Sequence, residues 1–149
     1  MLGFTKILGV VGVIIAFTGI GISIALVPWF SFYHNALSDL GHCLKSETAP
    51  IFNLTLMIAG FLFVLYGTED IRRRFPKTSF FLVFSGLILI LIGGFDEVYG
   101  VIHFSVSVLL FHFDRIASII YSLEAKNKLG LCCFYNRFLE LVNVLAPDL

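Results

Sequence analysis

Residues 7–29 read ILGVVGVIIAFTGIGISIALVPW, with no charged side chain between Ile7 and the tryptophan that closes the run. A helix needs roughly 20 predominantly apolar residues to cross a hydrocarbon core of about 30 Å, so this stretch predicts a transmembrane span. Pro28 and Trp29 mark its end, tryptophan being a side chain that anchors at lipid headgroups. Lys6 ahead of an apolar run also resembles the opening of a signal peptide. The run is longer than the apolar core of such peptides, roughly 7–15 residues, and no small-residue cleavage pattern follows, so the span is read as retained.

Composition agrees with this solvent. The 149 residues are 58% hydrophobic and 13% charged, with a mean hydropathy of +0.97, whereas soluble domains carry about 25% charge. Three more runs approach spanning length, at about 50–66, 79–95 and 98–118. The expected fold is therefore an all-α polytopic integral membrane protein, a four-helix transmembrane bundle with short amphipathic interfacial helices. Residues 1–121 form the membrane domain and 122–149 a cytoplasmic tail. Pro50 suits a first helical turn and Thr48 a cap before it. Glycines are frequent in the runs, as expected where helices approach closely. Gly12 and Gly19 recur in the third run as Gly86 and Gly93, a hint of a duplicated hairpin. The fourth run fades after Phe113 at Asp114 and Arg115. A charge at a helix centre costs about 3 kcal/mol on insertion scales, which places this pair near the inner interface, where Arg115 can snorkel.

Charge orients the bundle. The connection TEDIRRRFPK (68–77) holds Arg72, Arg73, Arg74 and Lys77, while the segment after the first run holds only Lys45. Positive residues stay inside, so the arginine loop, Lys6, Lys126 and Lys128 are cytoplasmic. The expectation is a multi-pass protein of the cell membrane with both termini cytoplasmic. Formal net charge is zero, which implies no nucleic-acid partner. The adjacent Cys132 and Cys133 fall on the reducing side and make no disulfide framework. The tail LCCFYNRFLELVNVLA (131–146) is too short and too charged to span, and reads as an amphipathic helix along the cytoplasmic face or on a partner.

The same topology sends HNALSDLGH (34–42) and DEVYGVIH (96–103) out of the cytoplasm together. On a helix of about three turns, His34, Asn35, Ser38, Asp39 and His42 share one side, with Leu37, Leu40 and Leu44 opposite. Asp96, Tyr99, His103 and Ser107 recur at spacings of three and four and make a polar stripe on the fourth span. Polar groups are costly toward lipid, so the stripe is expected to face inward and meet the first set.

PWFSFYHNALSDLG (28–41), SETAPIFNLTLMIAGFLFVLYG (46–67) and GGFDEVYGVIHFSVSVLLF (93–111) resemble a prokaryotic membrane family known as a domain of unknown function, number 998. The motifs are ALSDLG, an IFN opening to the second span, and an acid followed by GxIH at the fourth. The resemblance covers residues 7–111 and implies a polytopic helical membrane protein, with no activity or catalytic residue to carry over. Asp96 stands where the family pattern has proline. Beyond Phe111 the likeness is expected to stop, leaving either a short variant or a replaced C-terminal part.

Chemical readings of the cap remain open. The binding candidates are His34, Asn35, Ser38, Asp39, His42, Asp96, Glu97 and His103. Zinc takes imidazole and carboxylate ligands, so His42 and His103 are the candidate ligands of a metal-assisted hydrolase acting on a lipid or peptide at the outer leaflet, with Asp39 or Glu97 as general base. His34 lies two turns from His42, about 12 Å along a helix, too far to share an ion with it. Ser38 and His42 are i, i+4 neighbours without an oxyanion-hole motif. No acid falls inside the first three runs except at their ends, which disfavours a transporter. Asn53-Leu54-Thr55 matches the glycosylation triplet but sits in the first turns of a span, where capping or interhelical bonding fits better. The leading expectation is a structural or lipid/ligand-binding cap, in a protein whose partners are the lipid bilayer and either a second copy or another membrane protein. No motif specifies a cofactor.

Overall fold

The computed structural model describes residues 4–126 and contains four long helices, with no strand among the described residues. They are α1 (Phe4–Leu26), α2 (Ala49–Tyr66), α3 (Pro76–Gly94) and α4 (Val101–Glu124). All four are long and apolar enough to cross a membrane. Successive helices run antiparallel and pack as α1 on α2, α2 on α3 and α3 on α4. The ends of α1 and α3 and the starts of α2 and α4 therefore share one end of the bundle, here termed the cap end.

Proline sets two of the boundaries. Pro28 disfavours the α conformation at the residue before it, so α1 stops at Leu26 rather than continuing to Trp29. Phe75 (φ −137°, ψ 73°) leaves the helical conformation before Pro76, which then opens α3. Thr48 does occupy the cap position of α2. Its side chain makes no bond to the helix; the Thr48 hydroxyl pairs with Ser46 Oγ at 3.0 Å instead.

One expected loop and one expected boundary change. Helical backbone continues past Tyr66 through a π-helical turn (Gly67–Ile71) and a short α-helical turn (Arg72–Arg74), so the arginines form the end of a helical rod rather than an open loop. Helix α4 likewise runs to Glu124, beyond the expected limit of 118, and includes residues assigned to the tail. In both places charge lowers hydropathy without breaking helical backbone. The amphipathic helix expected at 131–146 lies outside the described residues.

Glycine carries the central crossing. A methyl group added at Gly60 would lie 2.6 Å from the Gly86 carbonyl oxygen, and one at Gly86 would lie 2.7 Å from the Gly60 carbonyl oxygen. Backbone thus meets backbone between α2 and α3. Gly12 and Gly19 face Phe63 and Thr55 of α2, and Gly93 faces Asn53. The two matched glycine pairs therefore both pack on α2. A duplicated hairpin would instead turn Gly86 and Gly93 toward α4.

The apolar core gathers Val27, Leu40, Phe52, Leu56, Ile88 and Ile92, with Ile20, Ile24, Phe30, Val106 and Leu110 against it. Leu40 comes from the connection between α1 and α2 and is fully buried, so the cap is plugged into the core. The opposite end is tied by Glu124. Its carboxylate accepts hydrogen bonds from Lys77 N at 3.1 Å, Thr78 N at 2.9 Å and the Thr78 hydroxyl at 2.7 Å, capping the positive N-terminus of α3 from the end of α4.

Candidate functional site at the cap end

The segment HNALSDLGH does not form a helix of three turns. Only Leu37–Gly41 is helical, as a single 3₁₀ turn. The cause lies in the polar side chains themselves, which bond to nearby backbone and compete with helical hydrogen bonding. Asn35 Oδ1 accepts from Ser31 N at 3.0 Å, and Asp39 Oδ2 accepts from Ala36 N at 2.9 Å. The turn then ends at Gly41, which lies against α2 where a Cβ would fall 2.5 Å from Asn53 Oδ1. Asn53 Nδ2 donates to Gly41 O at 2.9 Å. The glycosylation triplet is thus the anchor of the cap, an interhelical role for Asn53 of the kind its position favoured.

Asp96 joins the two connections at the cap end. It is buried, and its Oδ1 accepts from Val98 N at 3.0 Å while its Oδ2 accepts from Cys43 N at 3.3 Å. The expected polar stripe of α4 is broken by this geometry. Asp96 and Tyr99 precede the helix, separated from it by Gly100 at φ +51°, in the left-handed region that favours glycine. His103 remains on the inward face, buried, and its Nδ1 donates to the Phe95 carbonyl at 2.7 Å. Phe95 is the C-terminal neighbour of α3, so this bond clamps the α3–α4 corner.

Glu97 sits between the two sets. Its Oε2 is buried with no hydrogen-bond partner among the described residues. Burial pushes its carboxyl above the usual glutamate range, the Asp39 carboxylate raises it further, and His42 and His103 partly oppose this. Two carboxyl oxygens can face each other without repulsion when one carries a proton, and then the protonated one donates.

Asp39, His42 and His103 thus all lie near enough to Glu97 to influence its carboxyl, with Asn35 beside Asp39 at 3.4 Å. The structure does not bring His34 into the group: that side chain is exposed. Ser38 is half-buried, and among the described residues no hydrogen bond joins its hydroxyl to His42, whose Nδ1 accepts from Leu44 N at 3.3 Å. Among the described residues, no three His, Cys, Asp or Glu side chains converge closely enough to hold a metal ion. Next to the group, Trp29, Asn35, Asp39 and Lys45 line an open cleft of about 300 Å³. Sequence reasoning passed over Trp29 as more than an anchor, Lys45 as more than a charge count, and Cys43. The last lies beside Asp96, whose hydrogen bond to the thiol is the main influence raising its pKa above the usual cysteine value, with burial adding to it.

No curated protein and no solved structure matches the chain. A family match is found, and it spans residues 10–147. The likeness therefore does not stop at Phe111: the C-terminal part continues the family pattern, and neither a replaced segment nor a departure there is needed. Its marks are harder to read because the motif residues cluster in the cap while the later helix is apolar and less distinctive. With four spanning helices and a match over most of its length, this multi-pass membrane protein belongs to the family described as Protein of unknown function (DUF998).

Proposed function

We propose that the cap binds the headgroup of a zwitterionic phospholipid, in a protein of the cell membrane whose termini both lie in the cytoplasm. The observation that carries this reading is the cleft of Trp29, Asn35, Asp39 and Lys45. An amine headgroup presents an ammonium and a phosphate a few ångströms apart. Asp39 and the exposed face of Trp29 suit the ammonium, through a charge-assisted hydrogen bond and a cation–π contact. Lys45, a compact cation on a flexible stem, suits the phosphate. Trp29 lies three residues past the end of α1, which suits the cleft to headgroup depth, and about 300 Å³ is the lower end of ligand-site volumes.

The expected result is that wild-type protein purified in mild detergent retains phosphatidylethanolamine, measured by native mass spectrometry, and that Asp39→Asn lowers retention about tenfold. Asparagine keeps an acceptor oxygen for Ala36 N, so the 3₁₀ turn survives. Equal retention by wild type, Asp39→Asn and Lys45→Gln would discard the proposal.

The orientation rests on Arg72, Arg73, Arg74 and Lys77 standing at the end opposite the cap. With Cys132 and Cys133 changed to serine, Cys43 should react in intact cells with an impermeant maleimide, faster at alkaline pH because its thiol pKa is raised. Labelling only after the membrane is breached would reverse the topology.

A further inference from the structure

Helix α4 is the least covered of the four: across its most apolar stretch 6% of residues are buried, against 22–39% in the others. Its contact with α3 uses His103, Val106, Leu110, Phe113 and Ala117. The other side carries Phe104 and Phe111, 68% and 66% exposed, and one further heptad on, the exposed Ser118. These three form a straight seam at seven-residue spacing. Between Phe111 and Ser118 stand Asp114 and Arg115, both exposed and without an ion-pair or hydrogen-bond partner among the described residues.

Depth makes those charges informative. Glu124 is fixed level with the start of α3 by its bonds to Lys77 and Thr78, and Asp114 lies ten residues before it, about 15 Å along the helix. The Phe113 ring stacks on Phe84 of α3, centroids 5.7 Å apart. The pair therefore stands about 15 Å short of that end, level with the Phe81, Phe84 and Phe113 rings. Arg115 can reach toward water; the short Asp114 side chain cannot.

We infer that this face of α4 is the interface of a homodimer, in which Asp114 of each copy pairs with Arg115 of the other across a two-fold axis normal to the membrane. The argument for a second copy is the self-complementarity of the face. At about 100° per residue, Asp114 and Arg115 fall about 50° to either side of the Phe104–Phe111–Ser118 seam. In two parallel helices related by a two-fold axis, one flank of each seam meets the opposite flank of its partner. The acidic flank of one copy thus meets the basic flank of the other twice, at equal depth, and the charges leave lipid as pairs. Ser107 and Ser118 are small enough for close approach beside the phenylalanines.

The test is a charge swap on the full chain in lipid bilayers, reading dimer fraction by Förster transfer between labelled copies at several protein-to-lipid ratios. Wild type should dimerise. Asp114→Arg and Arg115→Asp should each weaken the dimer at least about tenfold, and the double variant D114R/R115D should restore it. Cys43 labelling equal to that of wild type identifies the variants that have folded. For any single swap that does not fold, the uncharged pair D114N/R115Q serves in its place and should weaken the dimer likewise. A monomeric wild type, as expected if lipid, another protein or another part of the chain covers the face, would overturn the inference. A folded double variant that stays monomeric, or folded single variants that dimerise like wild type, would do so too.

Discussion

Replacing Gly60 by alanine is expected to destabilise the bundle by about 1–3 kcal/mol, and replacing it by leucine to abolish the folded state. The alanine methyl would sit 2.6 Å from the Gly86 carbonyl oxygen, so the two backbones must separate by about 1 Å to restore ordinary contact. Neither partner is a flexible side chain that could rotate away. Gly86→Ala meets the same obstacle from the other side, 2.7 Å from Gly60 O. One separation of α2 from α3 accommodates both methyls, so the double variant should cost clearly less than the sum of the singles. Gly21→Ala is the control. Nothing lies within 4 Å of a methyl there, and the gain in helix propensity makes the change neutral or slightly stabilising. Thermal unfolding in lipid nanodiscs measures all five variants. A Gly60→Ala variant as stable as Gly21→Ala would mean that α2 and α3 do not cross at these glycines.

The contrast between Gly60 and Gly21 also marks how far the sequence could be read. Apolar run length identified four spans, because the bilayer imposes a length on every helix that crosses it. Alternation of connections then placed HNALSDLGH and DEVYGVIH at one end, and Asp39, His42 and His103 do lie near enough to Glu97 there to influence its carboxyl. Which glycine faces a neighbour cannot be read from spacing alone, since the first three spans, which carry these glycines, are apolar nearly all round. The loop failed for a different reason. A helical wheel sorted its polar residues onto one side, but Asn35 and Asp39 spend their oxygens on Ser31 N and Ala36 N, a local bond that periodicity does not register. His34 fell out of the group with the helix that would have carried it. Tyr66 does end α2, but the chain stays helical beyond it as far as Arg74 and α4 runs past 118 to Glu124, because arginine and glutamate lower hydropathy without disfavouring helix, and only Pro76 breaks the rod. Asp96 was legible as a polar residue and not as a joint: its partner, Cys43 N, is a backbone group more than fifty positions away.

Glu97→Gln should remove a pH dependence that the wild-type protein shows. The folded state holds the Glu97 carboxyl above its usual range, first by burial and then through the Asp39 carboxylate, while His42 and His103 pull the other way. For an acid shifted upward, the folded state keeps its proton over a range where the unfolded chain has released it. The stabilisation tied to that proton is complete below about pH 4.3, the unfolded value, and is lost as pH rises through the folded one. Thermal unfolding of wild type between pH 4 and 8 should therefore show stability falling with pH, with a slope from this group of at most about 1.4 kcal/mol per unit. Glutamine copies the neutral carboxyl in size and can still donate toward Asp39, so the variant should lose this slope and exceed wild type at the alkaline end. Asp39→Asn removes the opposing charge while burial remains, and should reduce the slope without abolishing it. Identical pH profiles for wild type and Glu97→Gln would mean that Glu97 is solvated rather than enclosed, and the Asp39–Glu97 contact would then have no part in holding the two cap-end connections together.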